Sequence, residues 1–451
     1  MVRFSSRWFH AVATKGAFDC YGILLLIPLL LVGCSYEPPH FLPNLVEIEI
    51  EQDEDEPVTR EQQKTIADTL LALFGTPDHP VQKDSKEGTS PLKSFGFDMG
   101  KVEIAAGKTY SDAQGKQHGL YRLHCAHCHG ITGGGDGPTA PFLNPYPRDY
   151  RQGVFKFKST FGPAKPTHDD LKRVLLEGVP GTSMPSFRLL PDNEIEALVE
   201  YVEYLSVRGE TEIQLIEFVA AEGEMPGTVA EIAGGFPLAL DDEGVPEDEP
   251  EEENVVASVM YQWLNAPSQV IRPVTPKIDY LDPNPEELAA SVKRGEKLFY
   301  SKDMQCNSCH GDSGLGDGLQ EKYSIWFKWR EDLETGSDDP EKIARVVHQF
   351  MEAGALKPRT IKPRNLRLGV YQGGLRPIDL YRRIYSGING GPMPAQGTEQ
   401  GISGDEVSDS DAGGSIPREQ IWDLVNYVLS LPYQPLSKGP PQRAGSKYSP
   451  R

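Results

Sequence analysis

Two short strings in this 451-residue chain place two cysteines and a histidine at the same spacing, C-x-x-C-H, at residues 125–129 and 306–310. Thiols at this spacing can add to the two vinyl groups of one haem, and the adjacent histidine then reaches the iron. A thioredoxin-like thiol pair and a zinc site are the alternatives, but neither accounts for the histidine in both strings. The sequence therefore predicts two covalently bound haem c groups. The residues predicted to hold them are Cys125, Cys128, His129, Cys306, Cys309 and His310.

Each string is followed by a loop pattern, G-x-x-G-x-x-M-P, at residues 178–185 and 387–394. A haem iron that transfers electrons takes a second axial ligand, commonly methionine. Glycines let such a loop pass close to the haem face, and proline stiffens it. Met184 and Met393 are therefore the predicted second ligands. Met225 is a rival for the first iron, although its surroundings have no counterpart in the second half.

Helices are predicted on both sides of each methionine loop. A D-L-x-R quartet precedes each loop, at residues 170–173 and 379–382, and both elements repeat at the same offset of 209 positions. Each half then ends in an amphipathic helix. Before the second C-x-x-C-H, Gly295 lies on the apolar face of another helix, where it would allow a close crossing by the last helix. The apolar positions of the two terminal helices are Ile195, Leu198, Val199, Val202, Leu205, Ile421, Leu424, Val425 and Val428.

A further shared element is Pro-Arg followed by Asp-Tyr or Asn-Leu, at residues 147–150 and 363–366. We interpret it as a wall of the haem site. A backbone carbonyl there could accept a hydrogen bond from the axial histidine and fix the orientation of its ring. Arg148 and Arg364 could pair with haem propionates, and the alternative is an ordinary turn with surface arginines.

Helix, C-x-x-C-H, methionine loop and terminal helix together resemble a class I cytochrome c domain in each half, over residues 105–207 and 283–432. The resemblance implies an all-α fold of two tandem class I cytochrome c-like domains, with loop-rich insertions and an acidic linker. It also implies one-electron transfer and four thioether bonds from the motif cysteines. The axial pairs that it implies are His129 with Met184 and His310 with Met393.

The second half departs from the compact pattern of that family. Its histidine and methionine are 83 residues apart, against 55 in the first half. The extra residues lie at 319–356, and a loop rich in Gly, Ser and Asp follows at 394–416. The first insertion contains Trp326, Phe327 and Trp329. The sequence leaves open whether these insertions cover the haem, dock a partner or face the first domain.

The amino terminus has the pattern of an export signal. Basic residues precede an apolar core at residues 23–32 that is too short to span a bilayer. The core ends in L-V-G-C, which resembles the lipobox of bacterial lipoproteins. The resemblance implies removal of residues 1–33 and lipid attachment at Cys34, with an ordinary secretory signal as the alternative. Residues 34–104 are then a tether and amino-terminal extension, and the predicted location is the periplasmic side of a bacterial membrane.

Acidic residues outnumber basic ones, 66 to 45, which gives a net charge of −21. This excess argues against nucleic acid as a partner. Residues 241–253 hold nine acids in thirteen positions, so residues 208–282 are predicted to be an acidic linker. The alternative is that this acidic segment docks a basic partner protein. Residues 59–74 have the pattern of a helix, and residues 433–451 are predicted to form a flexible tail.

These features favour a membrane-anchored electron carrier with redox protein partners, namely a quinol-oxidising complex and a terminal oxidase or reductase. Sulfur ligation raises the reduction potential of a haem, which suits such a carrier, and a lipid keeps it near the membrane. One alternative is a dihaem redox enzyme such as a peroxidase, which would need an open axial position. The other is a fixed electron-transfer subunit of a larger respiratory complex.

Overall fold

The computed structural model describes residues 39–51, 57–80, 96–235, 238–242, 244–251, 253–319, 339–397 and 416–434. Helices dominate this part of the chain, which agrees with the predicted all-α class. Its two short strands, Tyr110–Ser111 (β1) and Gln117–His118 (β2), pair antiparallel. The predicted signal with Cys34, the aromatic residues Trp326, Phe327 and Trp329, and most of the predicted tail lie outside the described residues.

The helices fall into two groups along the chain. Those of the first half are α1 (Leu45–Glu51), α2 (Arg60–Phe74), α3 (Met99–Ala105), α4 (Leu120–His124), α5 (Ala126–His129), α6 (His168–Glu177), α7 (Asp192–Glu222), α8 (Val229–Ile232) and α9 (Val255–Leu264). Those of the second half are α10 (Pro285–Phe299), α11 (Cys306–His310), α12 (Pro340–Glu352), α13 (Pro377–Ser386) and α14 (Arg418–Ser430). None of these described helices is long and apolar enough to cross a membrane.

The first core is built on α7. The helix begins after Pro191 with acidic residues in its first turn, which complement the helix dipole, and ends at Gly223 with φ of 77°. Its predicted apolar positions are buried. The helix does not stop at residue 207, the predicted domain boundary, but continues to Glu222, and most of its residues between 207 and 216 are buried.

The far end of α7 is buried because two other segments cover it. The helix predicted over residues 59–74 is present as α2, capped by the Thr59 hydroxyl, and Tyr204 of α7 donates a hydrogen bond to the Phe74 carbonyl at 2.7 Å. From within the predicted linker, Trp263 of α9 donates to the buried Glu210 carboxylate at 2.8 Å. Parts of the extension and of the linker therefore belong to the first core.

The acidic run at residues 241–253 differs from α9 in its exposure to solvent. Its described acidic residues between 241 and 253 are exposed, and a tight turn joins Asp241 to Val245. Carboxylates without buried partners remain in water because their desolvation is costly. The segment predicted as one acidic linker is thus divided into an exposed acidic turn and a helix that packs into the first core.

The second core is built on a crossing of α10 and α14. Gly295 lies directly against the Asp423 carbonyl, and a methyl group at that position would overlap it. Beside this contact, Ser291 donates to Asp423 at 2.6 Å and Arg294 forms a bidentate pair with the same carboxylate. The close crossing expected at Gly295 is confirmed. The apolar face predicted for α14 is buried, with Ile421 and Val425 fully enclosed.

The described part of the 319–356 insertion contacts the amino-terminal extension. Phe350 of α12 is buried, and Val46 and Ile50 of α1 pack against it. Just beyond the insertion, the Arg359 guanidinium lies 3.9 Å from the ring centroid of Tyr146. Of the three possibilities left open by the sequence, the described residues show a contact with the first half.

Replacement of Gly295 should destabilise the second core. Gly295→Ala places a methyl group where the Asp423 carbonyl lies and 2.8 Å from the Tyr427 Cβ, so the two helices must move apart. We expect the free energy of unfolding to fall by about 1–3 kcal/mol, measured by calorimetry of the haem-loaded protein. Gly100→Ala is the matched control, since the added methyl would meet only the nearby Asp98 side chain at 3.3 Å. Equal stability of the two variants would contradict the crossing.

Candidate haem-binding sites

In the first candidate site the axial histidine is held by a backbone carbonyl. His129 ends α5 and is buried. Its Nδ1 forms a hydrogen bond with the Arg148 carbonyl at 3.0 Å, and its ring stacks on Tyr150 with centroids 4.6 Å apart. Burial lowers the pKa of His129 to about 4, so the ring is neutral at pH 7. A neutral imidazole with Nδ1 engaged offers Nε2 to a metal.

The second candidate site repeats this geometry. His310 ends α11, and its Nδ1 forms a hydrogen bond with the Arg364 carbonyl at 3.1 Å. Burial lowers the pKa of His310 below its usual value. The expectation that a carbonyl of the shared Pro-Arg segment accepts a bond from the histidine is therefore confirmed in both halves.

A glycine-rich turn joins each histidine to its wall segment, and it was not predicted from the sequence. Both strings continue as H-G-x-x-G-x-G-D-G. The amides of Gly135 and Gly316 donate to the carbonyls of His129 and His310, each at 2.9 Å. Gly135 has φ of 73° and Gly316 has the same value, and a methyl group on either would meet the wall backbone. Only glycine combines this conformation with this approach.

The four motif cysteines are reduced, and the first cysteine of each motif lies in or beside a core. All four described cysteines are free thiols. Cys125 belongs to the first core, and Cys306 packs against the second. Burial raises the pKa of Cys125 to about 12 and that of Cys306 to about 11, so both are protonated. Two reduced thiols beside a neutral histidine fit the attachment chemistry of haem c.

The two methionine loops fold alike. The Val179 amide donates to the Met184 carbonyl at 3.1 Å, and the Ile388 amide donates to the Met393 carbonyl at 3.0 Å. Met184 packs against the core that contains Cys125, and Met393 packs against the core beside Cys306. Each predicted methionine therefore shares a core with the cysteine of its own site. Met225 also packs against the first core, so the preference for Met184 still depends on the repeat.

Two partly buried cations adjoin the first site. Burial lowers the pKa of Arg148 to about 9. Burial and the neighbouring Arg148 lower the pKa of Lys156 to about 7. An anion bound beside these groups would offset their lost hydration, so they fit a haem propionate. Lys156 was not singled out from the sequence, and Gln372 occupies its place in the second half.

A third histidine, His168, belongs to a cluster of ion pairs. Its two ring nitrogens lie 3.1 Å from Glu203 and 3.0 Å from Glu196. These carboxylates raise the pKa of His168 to about 9, with the hydrogen bond to Glu203 the largest cause. Glu200 lies close enough to complete a metal-ligand set with His168 and Glu203, and the two hydrogen bonds of His168 join α6 to α7. Lys172 also pairs with Glu196 at 2.7 Å, so we assign the cluster to joining α6 and α7.

Comparison with known proteins gives a family match at the first site. Residues 113–202 match the family model described as cytochrome C oxidase, cbb3-type, subunit III. This segment contains the first C-x-x-C-H and Met184. Residues 113–202 therefore form a cytochrome c domain, which implies covalently bound haem c.

Comparisons with curated proteins and with solved structures add little to this family match. No curated protein matches the chain. A solved chain of the Kuenenia stuttgartiensis reducing HAO-like protein complex Kustc0457/Kustc0458 is similar, with 23% sequence identity and a TM-score of 0.38. The similarity covers 71% of this chain and 97% of that chain.

Loss of the His168 charge should destabilise the protein only where the histidine is protonated. A folded-state pKa of about 9 against 6.5 means that the contribution is fully present below pH 6.5 and is lost as the pH rises through 9. His168→Gln should therefore cost about 1 kcal/mol at pH 6, after allowance for a side chain that is 37% exposed. Thermal unfolding at pH 6 and pH 9.5 measures this difference.

The matched control is His348→Gln. That histidine pairs with Glu352, but both side chains are more than 70% exposed, so its loss should change the unfolding temperature little at either pH. An equal loss of stability for His168→Gln at pH 6 and pH 9.5 would contradict the assignment of a protonated histidine.

Proposed function

We propose that this chain is a periplasmic, membrane-anchored dihaem c-type cytochrome that transfers single electrons between respiratory-chain partners. The observation that carries the proposal is the duplicated bond between an axial histidine and a wall carbonyl, at His129 with Arg148 and at His310 with Arg364. A bond that leaves Nε2 as the ligand atom in both halves favours two haem sites.

A second cytochrome c-like domain is supported because its local contacts are equivalent to those of the domain at residues 113–202. The glycine turn, the wall segment and the methionine loop each use equivalent hydrogen bonds in the two halves. Each half also has its own hydrophobic core. We therefore propose two tandem class I cytochrome c-like domains, each holding one haem through two thioethers.

The axial ligands that we propose are His129 with Met184 and His310 with Met393. When bound, each haem supplies an iron that gains and releases one electron. The chain's own residues orient the two histidines through their Nδ1 bonds and keep them neutral by burial. A histidine and a methionine on the same iron leave no position for a substrate, which favours a carrier over a peroxidase.

The location and partners that we propose follow from the leader sequence and the charge. A lipid on Cys34 would keep the protein beside membrane complexes, with a quinol-oxidising complex as donor and a terminal oxidase or reductase as acceptor. The net charge of −21 suits basic docking faces on those partners. A fixed subunit of a respiratory complex is the second candidate, because the insertions and the long amino-terminal region suit such a subunit as well as they suit a free carrier.

Haem counting tests the number of sites. In the chain carrying both Cys306→Ser and Cys309→Ser, the haem content should fall from two to one per chain, because the second thioether pair is lost. Pyridine haemochromogen absorbance, referred to the protein concentration of exported material, measures the content. The matched double variant at Cys125 and Cys128 should give the same value. A single haem in the unchanged protein would contradict the proposal.

Carbon monoxide tests the methionine ligands. The reduced, unchanged protein should show no spectral change with carbon monoxide, because both irons are six-coordinate. Met184→Ala and Met393→Ala should each open one haem and bind one carbon monoxide per chain. Met225→Ala is the control and should bind none. Carbon monoxide binding by Met225→Ala in place of Met184→Ala would reassign the first ligand, and binding by the unchanged protein would favour an enzyme.

A further inference from the structure

The two halves touch through equivalent elements. Arg173 of α6 reaches across to Asp379 of α13 at 3.1 Å. Both residues belong to the repeated D-L-x-R quartets. The Asp379 side chain is almost fully buried in this contact, with 2% exposure. An ion pair therefore joins the helices that lead into the two methionine loops.

Residues that follow the two wall segments take part in the same contact. Phe157 follows the first wall and packs on Gly373, which holds the equivalent position after the second. The Phe161 ring meets Tyr385 edge-on at 5.8 Å. The Phe161 amide donates to the Gln269 carbonyl at 3.0 Å. The contact between the halves therefore extends from Phe157 to Phe161, which packs against the second core.

One arginine in this contact reaches both candidate sites. The Arg364 carbonyl accepts the bond from His310. The guanidinium of the same residue lies on Gly181, inside the loop that carries Met184, and a methyl group at Gly181 would overlap it. Its Nε donates to the Val370 carbonyl at 2.9 Å, which holds the side chain in this direction.

The equivalent residue of the first half does not behave in this way. The Arg148 guanidinium is buried near its own wall, where it lowers the pKa of Lys156. The second half has Gln372 in place of Lys156. Arg148, Lys156 and the Arg364 guanidinium therefore adjoin the first site, whereas in the second half Arg383 donates to the carbonyls of Gln372 and Gly374.

We propose that Arg364 is a positioning residue shared by the two haem sites, whose backbone orients His310 and whose charge steadies the Met184 loop and raises the reduction potential of the first haem. This inference rests on the proposed dihaem function. A reduced haem carries one positive charge fewer than an oxidised haem, so a nearby cation favours the reduced form. The Arg364 cation thus adds to the tendency of the first haem to hold an electron.

Potentiometric titration of the haem-loaded full chain tests this proposal. Arg364→Gln should lower the potential of the first haem, with a roughly three- to tenfold change in its ratio of reduced to oxidised form at fixed applied potential. Arg364→Lys keeps the charge and should retain most of the potential. If Arg364→Gln fails to fold, Gly181→Ala provides a second route, because its methyl group displaces the same guanidinium.

The matched control is Arg367→Gln. Arg367 lies three residues along the same segment, and its guanidinium donates to carbonyls of the second half, at Ser313, Leu431 and Gln434. It should leave the potential of the first haem unchanged. The Arg364 effect must also persist in the chain carrying Cys306→Ser and Cys309→Ser, which has only the first haem and identifies its signal.

The outcomes separate this inference from the proposed function. The haem content of the unchanged protein is measured first, and a value of one removes the dihaem function whatever the potentials show. With two haems present, a potential of the first haem that is the same in Arg364→Gln and the unchanged protein overturns the coupling. A shift confined to the second haem also overturns it, since it would leave Arg364 with a role in its own half alone.

Discussion

The bond from a histidine Nδ1 to a backbone carbonyl is the interaction on which both candidate sites depend. It fixes the ring of His129 against Arg148 and that of His310 against Arg364. The carbonyl can be in place only because a glycine turn brings the wall segment back to the end of the short helix. The bond also determines which nitrogen remains for a metal, so orientation and ligand chemistry have one cause.

Around these similar sites the two halves have different surroundings. In the first, α7 continues for fifteen residues past residue 207 and is covered by α2 and α9. In the second, the equivalent α14 ends at Ser430. The first site therefore lies in a larger core, where burial displaces the pKa of Arg148 and Lys156. Identical motifs can in this way hold cofactors with different electrostatic surroundings.

Short-range patterns were the features that the sequence could predict. The wall carbonyls and the crossing at Gly295 follow from residue type and local spacing, and the structure has both. The extent of α7 did not follow, because its buried part contains Arg208, Glu210 and Glu212, which have the composition of a surface. Their partners come from distant segments; Trp263, for example, is 53 positions from Glu210. Burial of charge depends on such contacts, and composition alone does not reveal them.

In the contact between the halves, the arginine of one repeated quartet pairs with the aspartate of the other. Asp170 braces its own half by accepting from the amide and hydroxyl of Ser159, both at 2.8 Å. Its counterpart Asp379 instead accepts from Arg173 of the other half and from Arg376. Buried ion pairs add little net stability, since desolvation offsets their attraction, but they require particular geometry. A carboxylate shared between two arginines therefore contributes more to the relative position of the two halves than to the strength of their association. In this relative position, Arg364 lies on the loop that carries Met184.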